Sequence, residues 1–446
     1  MKKSKNSIDR RKFVKQTLTG VGGVILAPTI LSACAKGAND LVHIAHIGVG
    51  SRGTAELRSY FVPLTDSRSV AICDVFQNRR LGGTGLVNKY YKENEITAPE
   101  CKPYLDFEEI LERKDIDAVH ITTPDHWHVP AAIKAARAGK HIMLAKPLGL
   151  SYPNYMMLDK ELKANDVRFH YGTQQRAAQH MKVGIELVKE GAIGEIERVD
   201  VWCPSANPVE SPVCHEVPVP DTFDFDKWTG PARLNPYCPE LVTNNGSWFN
   251  NDYSIGFLAG WGAHPLDIMV WALKDQMLGE YTCKGKGAFW APGGLYNNVN
   301  SWDLDYYFKQ GLKLHFFSDD VANSKNLYDY RDNKESNGTT FYGSKGWISL
   351  SRGSVQSNIP EINTKISEKI IDYIGMGQLF VDICKGKKEE VCPLSDAILS
   401  DSISHMGNIA IRTQRKITWD TKLGKVIDDD EANSLFIRAM REPYQV

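Results

Sequence analysis

The stretch that decides the fold is Gly48-Val49-Gly50-Ser51-Arg52-Gly53, which follows the apolar run 42–48 and precedes a second apolar run, 69–74, ending in Asp74. A Gly-x-Gly-x-x-Gly turn placed between a strand and a helix, with an acid at the end of the next strand, is a dinucleotide-binding fingerprint. Gly48 permits the tight turn, Gly50 lets backbone approach a pyrophosphate, and Gly53 lets the helix pack closely on the strand. The helix start offers unpaired N–H groups to phosphate oxygens. Asp74 is placed to accept hydrogen bonds from ribose hydroxyls and repels a 2′-phosphate. NAD is therefore the expected cofactor, with NADP admitted because Arg79 and Arg80 stand nearby.

Working outward, short apolar runs at 117–122, 141–145 and 167–172 read as further buried strands. Segments 107–113, 127–138 and 154–164 read as helices between them. Alternation of this kind predicts right-handed βαβ crossovers and a parallel sheet. After about Tyr171 the texture changes. A helix at 176–189 leads to a strand at 197–202. Runs at 304–308, 313–317, 339–342 and 347–350 are short, alternating and separated by turn residues, as in an antiparallel sheet. Segment 395–412 reads as one helix, with Leu399, Ile403, Met406 and Ala410 on one face. The expected organisation is an α/β Rossmann domain at 41–172, followed from 173 by a second domain of antiparallel-sheet texture. The irregular stretch 204–251 is long enough to predict a wall for a binding site.

The opening segment has a different purpose. Arg10-Arg11 precedes a Gly-containing apolar run at 18–30, and Leu31-Ser32-Ala33-Cys34 follows. This reads as a twin-arginine lipoprotein signal over 1–33, with Cys34 lipidated and 34–40 a linker. The run is too short for a spanning helix, which needs roughly 20 apolar residues. The expected location is the periplasmic side of a bacterial membrane, with membrane contact only through Cys34. With 53 basic and 54 acidic residues, nothing supports nucleic-acid binding. The remaining cysteines are scattered without a CxxC, so no zinc site is expected; Cys203, Cys214 and Cys238 are the nearest group for any bridge.

Further motifs stand in order along the chain: Thr123-Pro124-Asp125-His126-Trp127-His128, Ala145-Lys146-Pro147, Gly172-Thr173-Gln174-Gln175-Arg176, Trp228-Thr229-Gly230-Pro231, Gly260-Trp261-Gly262-Ala263-His264-Pro265-Leu266-Asp267 and Arg441-Glu442-Pro443-Tyr444. Together with the glycine turn, this set resembles the glucose–fructose oxidoreductase / inositol dehydrogenase (Gfo/Idh/MocA) family. The resemblance runs from Leu41 to Tyr444 and implies an NAD(P)-dependent oxidoreductase acting on sugars or polyols, its Rossmann domain at 41–172 followed by an α+β substrate and oligomerisation domain at 173–446 with a large, mostly antiparallel open sheet; the open face of such a sheet needs covering, so a homo-oligomer is expected. It implies that Lys146 exchanges the proton of the reacting hydroxyl and that His264 assists it. The family's usual Glu before that lysine is Ala145 here, and its usual Asp four residues before the histidine is Gly260.

The resulting expectations are these. Lys146 and His264 are catalytic. Gly48, Gly50, Ser51, Arg52, Gly53, Asp74, Thr123, Pro124, His126, His128, Lys146 and Gln174 hold the cofactor. Lys146, Gln175, Arg176, Trp261, His264 and Asp267 meet the carbohydrate, and no residue binds metal. An enzyme exported beyond any nicotinamide pool must keep its cofactor and restore it at each turnover. Two alternatives to a sugar oxidoreductase follow: a redox-neutral, NAD-dependent glycoside hydrolase or lyase, and a sugar-binding protein without catalysis.

Overall fold

The computed structural model describes residues 41–206, 209–331, 335–368 and 375–446; the signal segment and Cys34 lie outside these residues. Six strands form the first sheet: β1 Val42–Ile47, β2 Ser67–Cys73, β3 Lys102–Tyr104, β4 Ala118–Ile121, β5 His141–Leu144 and β6 Phe169–Tyr171. All are parallel, in the order β3-β2-β1-β4-β5-β6. β1 and β4 are almost wholly buried because helices cover both faces of the sheet. The reversal of strand order between β1 and β4 opens a crevice beyond the strand C-termini, where ligands of doubly wound sheets bind.

Nine strands form the second sheet: β7 Ile196–Cys203, β8 Glu280–Phe289, β9 Val299–Phe308, β10 Lys313–Ser318, β11 Gly338–Gly343, β12 Gly346–Leu350, β13 Val355–Ser357, β14 Ile417–Asp420 and β15 Lys425–Val426. Their order is β13-β12-β11-β7-β10-β9-β8-β14-β15. β7 and β10 pair in parallel and the other neighbours are antiparallel. β9 alternates buried and exposed positions, the mark of a sheet covered on one face. The covering layer includes the helices Ala263–Met277 and Leu394–Thr413. Leu399, Ile403, Met406 and Ala410 are buried in this core.

The boundary expected at 172 is crossed late in the chain. The helix Met376–Cys384 packs Met376, Phe380 and Val381 against Val42, Ile44, Phe61 and Met143 of the first sheet. Asp401 and His405 of the long helix meet Tyr155, and Asp401 also accepts from Leu148 N. Cys214 and Cys238 form a disulfide. Among the described residues, no helix is long and apolar enough to cross a membrane.

Candidate active site

A cavity of about 500 Å³ lies beyond the C-termini of the first sheet, walled by both sheets' connections and by the 209–251 segment. Its nucleotide end is built by the glycine turn. Gly48 has φ +84°, and a Cβ there would come within 2.8 Å of Thr123 N, so no other residue fits without strain. A Cβ at Gly53 would approach Gly48 O to 2.3 Å, which shows how closely the helix Ser51–Glu56 is laid on the turn. A Cβ at Gly50 would meet only the Arg79 guanidinium, at 3.6 Å, and would fill the space a pyrophosphate needs. Asp74 accepts from Val49 N and Phe76 N, both at 2.9 Å, one through each carboxylate oxygen. Each oxygen keeps a further lone pair for a ribose hydroxyl. Arg79 stacks on Phe76 at 3.9 Å and lines the cavity, whereas Arg80 turns back to the carbonyls of Asp74 and Val75. The turn, Asp74 and Arg79 thus fit an adenine dinucleotide.

The 209–251 segment crosses this crevice. Gln77 N donates to Thr222 O at 2.9 Å, and Phe223 stacks on Phe76 at 4.0 Å between ring centroids. Lys227 pairs with Asp106 at 2.6 Å, Trp127 Nε1 donates to Lys227 O at 2.9 Å, and Asn244 reaches Ser51 Oγ at 3.0 Å. The Cys214–Cys238 bridge staples the strap internally. The prediction of a walling loop therefore holds, and its cysteines pair as the nearest-group reading allowed.

At the other end of the cavity stand Lys146, Trp261 and His264. Lys146 Nζ donates to Gly260 O at 2.5 Å and lies 5.9 Å from the Trp261 ring centroid. Burial pushes its pKa from 10.5 down to about 8; Asp125 offsets part of that, and Arg52 and Arg352 add to it. His264 is 2% exposed, and its Nδ1 has no protein partner. Burial, then Lys146, Arg352 and Arg52, hold its pKa well below 6.5, so the ring is neutral.

Positions 145 and 260 carry no carboxylate, and two others, Asp125 and Glu56, act on Lys146. Asp125 is buried at the start of the helix Asp125–Arg137, lines the cavity and accepts from Ser254 Oγ at 2.6 Å. Burial raises its pKa against the pull of His128, Ser254 and Lys146. Glu56 also lines the cavity. It pairs with Arg52, accepts from Gln174 Nε2 at 3.2 Å and bonds His120 Nε2 at 2.8 Å. Burial works to raise its pKa, but His120 and Arg52 outweigh that and leave it below 4.5. Behind it, His120 bonds His46 at 3.2 Å and His46 bonds Ser69 at 2.9 Å, a polar line through an otherwise apolar sheet.

Of the expected residues, Gly48, Gly50, Ser51, Arg52, Gly53, Asp74, Thr123, Pro124, His128, Lys146, Gln174, Trp261 and His264 line the cavity. His128 sits between the carbonyls of Thr123 (2.8 Å) and Pro147 (2.7 Å), tying the ends of β4 and β5 together beside Lys146. Four expectations are corrected. His126 turns away from the cofactor: its Nε2 donates to Trp228 O at 2.9 Å, and burial lowers its pKa to about 4. Gln175 is buried and donates to Asn337 at 3.3 Å, away from the sugar end. Arg176 and Asp267 do not line the cavity; they form a two-pronged ion pair at 2.6 and 2.8 Å, and Arg176 also reaches Asp396 at 2.9 Å. One helical turn from His264, Asp267 points into the interior between helices. Glu56, Asp125 and Arg352 were not foreseen. The Arg52…Glu56 i,i+4 spacing and the Thr-Pro-Asp motif were the available signals for the first two; Arg352 had none. Among the described residues, no three His, Cys, Asp or Glu side chains gather as a metal site.

Comparison with known proteins agrees with this geometry. Residues 42–173 match the profile "Oxidoreductase family, NAD-binding Rossmann fold", and residues 291–446 match "Oxidoreductase family, C-terminal alpha/beta domain". A glycosyl hydrolase family 109 protein of Shewanella baltica is 27% identical over 213 residues, 43% of this chain and 45% of that protein. An alpha-N-acetylgalactosaminidase of Shewanella oneidensis is 26% identical over 215 residues, with the same coverage, 43% and 45%. The matched stretch therefore spans about half the length of these curated relatives. Among solved structures, the aldose-aldose oxidoreductase of Caulobacter crescentus superposes with a TM-score of 0.56 at 16% identity, covering 85% of this chain and 100% of that one. The WlbA dehydrogenase of Bordetella pertussis, solved with NADH and UDP-GlcNAcA, gives a TM-score of 0.60 at 14% identity, covering 85% and 98%. The chain belongs to the Gfo/Idh/MocA oxidoreductase family, and its amino-terminal sheet is that family's NAD-binding Rossmann domain.

Proposed function

We propose that this protein is an NAD-dependent oxidoreductase acting on a sugar or sugar derivative, with its cofactor held and recycled inside the site. The observation that carries the reading is the 209–251 strap, bonded on both rims of the nucleotide crevice and closed by a disulfide. A nucleotide lying beneath it leaves only when those contacts open. NADP remains admitted, since Arg79 faces the cavity.

NAD, when bound, accepts and returns a hydride at a sugar carbon. The chain's own residues handle the proton and the orientation. Lys146, with a pKa of about 8, carries a substantial free-amine fraction near neutral pH and takes the proton of the reacting hydroxyl. Neutral His264 exchanges hydrogen bonds with the same or a neighbouring hydroxyl. Trp248 and Trp261 line the cavity and offer flat faces to the C–H side of a sugar ring. Asp125 keeps the protonated lysine tolerable after proton uptake. Export by the twin-arginine route, lipidation at Cys34 and a periplasmic address belong to the same reading; the Cys214–Cys238 bridge supports an oxidising compartment. A homo-oligomer covering the exposed face of the second sheet belongs to it as well.

A second reading is favoured by the curated relatives named as family 109 glycosyl hydrolases. There the hydride returns to the same sugar after the glycosidic bond is cleaved, with no net oxidation. Purified protein, denatured and cleared, is scanned for nicotinamide nucleotide. The proposal expects near-stoichiometric nucleotide, and sugar-dependent reduction of it without any addition, lost in Lys146→Met. Aglycone release from chromogenic glycosides under the same conditions selects the second reading. Protein that holds no nucleotide and takes none up refutes both.

A further inference from the structure

The reacting end of the cavity carries more positive charge than proton transfer requires. Arg52 there is paired with Glu56, and Lys146 faces Asp125. Arg352 differs. It stands on the turn between β12 and β13 and lines the cavity. Its guanidinium lies 4.8 Å from the Trp261 ring centroid, the same indole that Lys146 Nζ approaches to 5.9 Å, so the two cations are no farther apart than the sum of these distances. Arg352 makes no hydrogen bond or ion pair among the described residues. The nearest acid that acts on it, Glu335, spends its carboxylate on the turn itself, accepting from Ser351 Oγ at 2.6 Å and from Gly353 N at 3.0 Å. Arg352 also feels Arg52 as a like charge. A guanidinium that stacks on an indole, lacks an acidic partner and faces a second arginine is poised for an oxyanion from outside the chain. Its planar fork suits two-point binding of carboxylate or sulfate.

We propose that Arg352, stacked on Trp261, forms a subsite for an anionic group on the sugar substrate: the carboxylate of a uronic acid or a sulfate ester, held beside the carbon that reacts at Lys146. The inference rests on the sugar reading above and narrows its substrate class. Were the cofactor's own phosphate the anion, nucleotide would be lost with the Arg352 guanidinium, which the test below reads.

The test uses full-length protein with its native nucleotide. Isothermal titration compares methyl glucuronide, methyl glucoside and methyl glucoside 6-sulfate, and the matching galacto and manno sets. In at least one series the charged sugar should bind about ten- to a hundredfold more tightly than the neutral one, the span of a charge-assisted hydrogen-bonded pair. Arg352→Gln should erase that preference while the nucleotide stays bound, and Arg352→Lys should restore part of it. The uronide and sulfate arms separate the two oxyanions. Equal binding of charged and neutral sugars, a preference that survives Arg352→Gln, or loss of nucleotide in that variant overturns the subsite alone. If no sugar of either kind binds, the carbohydrate reading itself fails, and the subsite fails with it.

Discussion

Gly260→Asp restores the carboxylate that most relatives are expected to carry, and its effect can be worked from the site. A Cβ at Gly260 meets nothing within 4 Å, so the side chain enters open cavity. Lys146 Nζ already rests 2.5 Å from the Gly260 carbonyl, which puts a carboxylate on the same residue about 5 Å from the ammonium. At an effective dielectric of about 20 the attraction is roughly 3 kcal/mol, or about two pKa units before solvent screening and about one after it. The sign is fixed: the protonated amine is favoured, and the Lys146 pKa rises from about 8. A lysine that must be free to take a hydroxyl proton gives a rate that climbs with pH through its pKa. The variant should therefore move the ascending, acid-side limb of the kcat profile for sugar oxidation upward by about one to two pH units. At neutral pH it should lose about ten- to a hundredfold in rate. The measurement is kcat against pH from 6 to 10, followed through reduction of the bound nucleotide. An unmoved limb, or one displaced to lower pH, refutes Lys146 as the proton carrier, whatever happens to the maximal rate.

Other changes test other parts. Cys214→Ser, or reduction of the wild type, should lower the unfolding free energy by about 3 kcal/mol for a loop of this length and speed the loss of nucleotide into a filtrate; unchanged retention removes the strap from the argument. Gly53→Ala places a methyl group 2.3 Å from Gly48 O and should leave a folded protein with little or no nucleotide, read by absorbance after denaturation. Asp267→Asn leaves Arg176 buried with half its pairing and should cost about 3–5 kcal/mol in a urea melt. Its sugar KM should stay unchanged, since neither residue lines the cavity.

The fold was legible where periodicity and punctuation agree. The glycine turn, the alternating apolar runs and Asp74 specify the first sheet almost residue by residue, because a doubly covered strand has no polar face to obscure it. Among the elements that escaped, three did so for plain physical reasons. The helix Gln77–Glu93 carries Gly82, Gly83 and Gly85 and no strong apolar stripe. β3 is three residues long, half-exposed and includes a proline. β8 is interrupted by Lys284-Gly285-Lys286-Gly287. In the site, motif membership located the backbone but not the direction of each side chain. Gln174 faces the cavity while Gln175 and Arg176, its neighbours on a tight 3₁₀ turn, are buried on the far side. The same holds for His126 and His128 on the helix that begins at Asp125. Arg352 belongs to a turn with no motif, and only tertiary folding brings it to Trp261.

The two substitutions in the lysine and histidine motifs read differently once the carboxylates are traced. Acid–base work by a buried lysine needs a nearby negative charge to bear the proton after it arrives, but it does not matter which element supplies it. On the proposed reading Asp125 supplies it from the start of a helix, fixed by Ser254. Glu56 supplies a second from the helix that follows the glycine turn, fixed by His120 and Gln174. Both are held by hydrogen bonds within the chain, whereas a carboxylate at 260 would project freely into the cavity. With glycine at 260 the space beside it stays open, and Arg352 stands on Trp261 with no ion pair among the described residues. On the proposed reading, the departure at 260 does not mark lost catalysis; it exchanges a protein carboxylate for room and positive charge, which an anionic sugar would use. Gly260→Asp should then weaken binding of the uronide more than that of the neutral glucoside, a result that the loss of proton transfer alone would not produce.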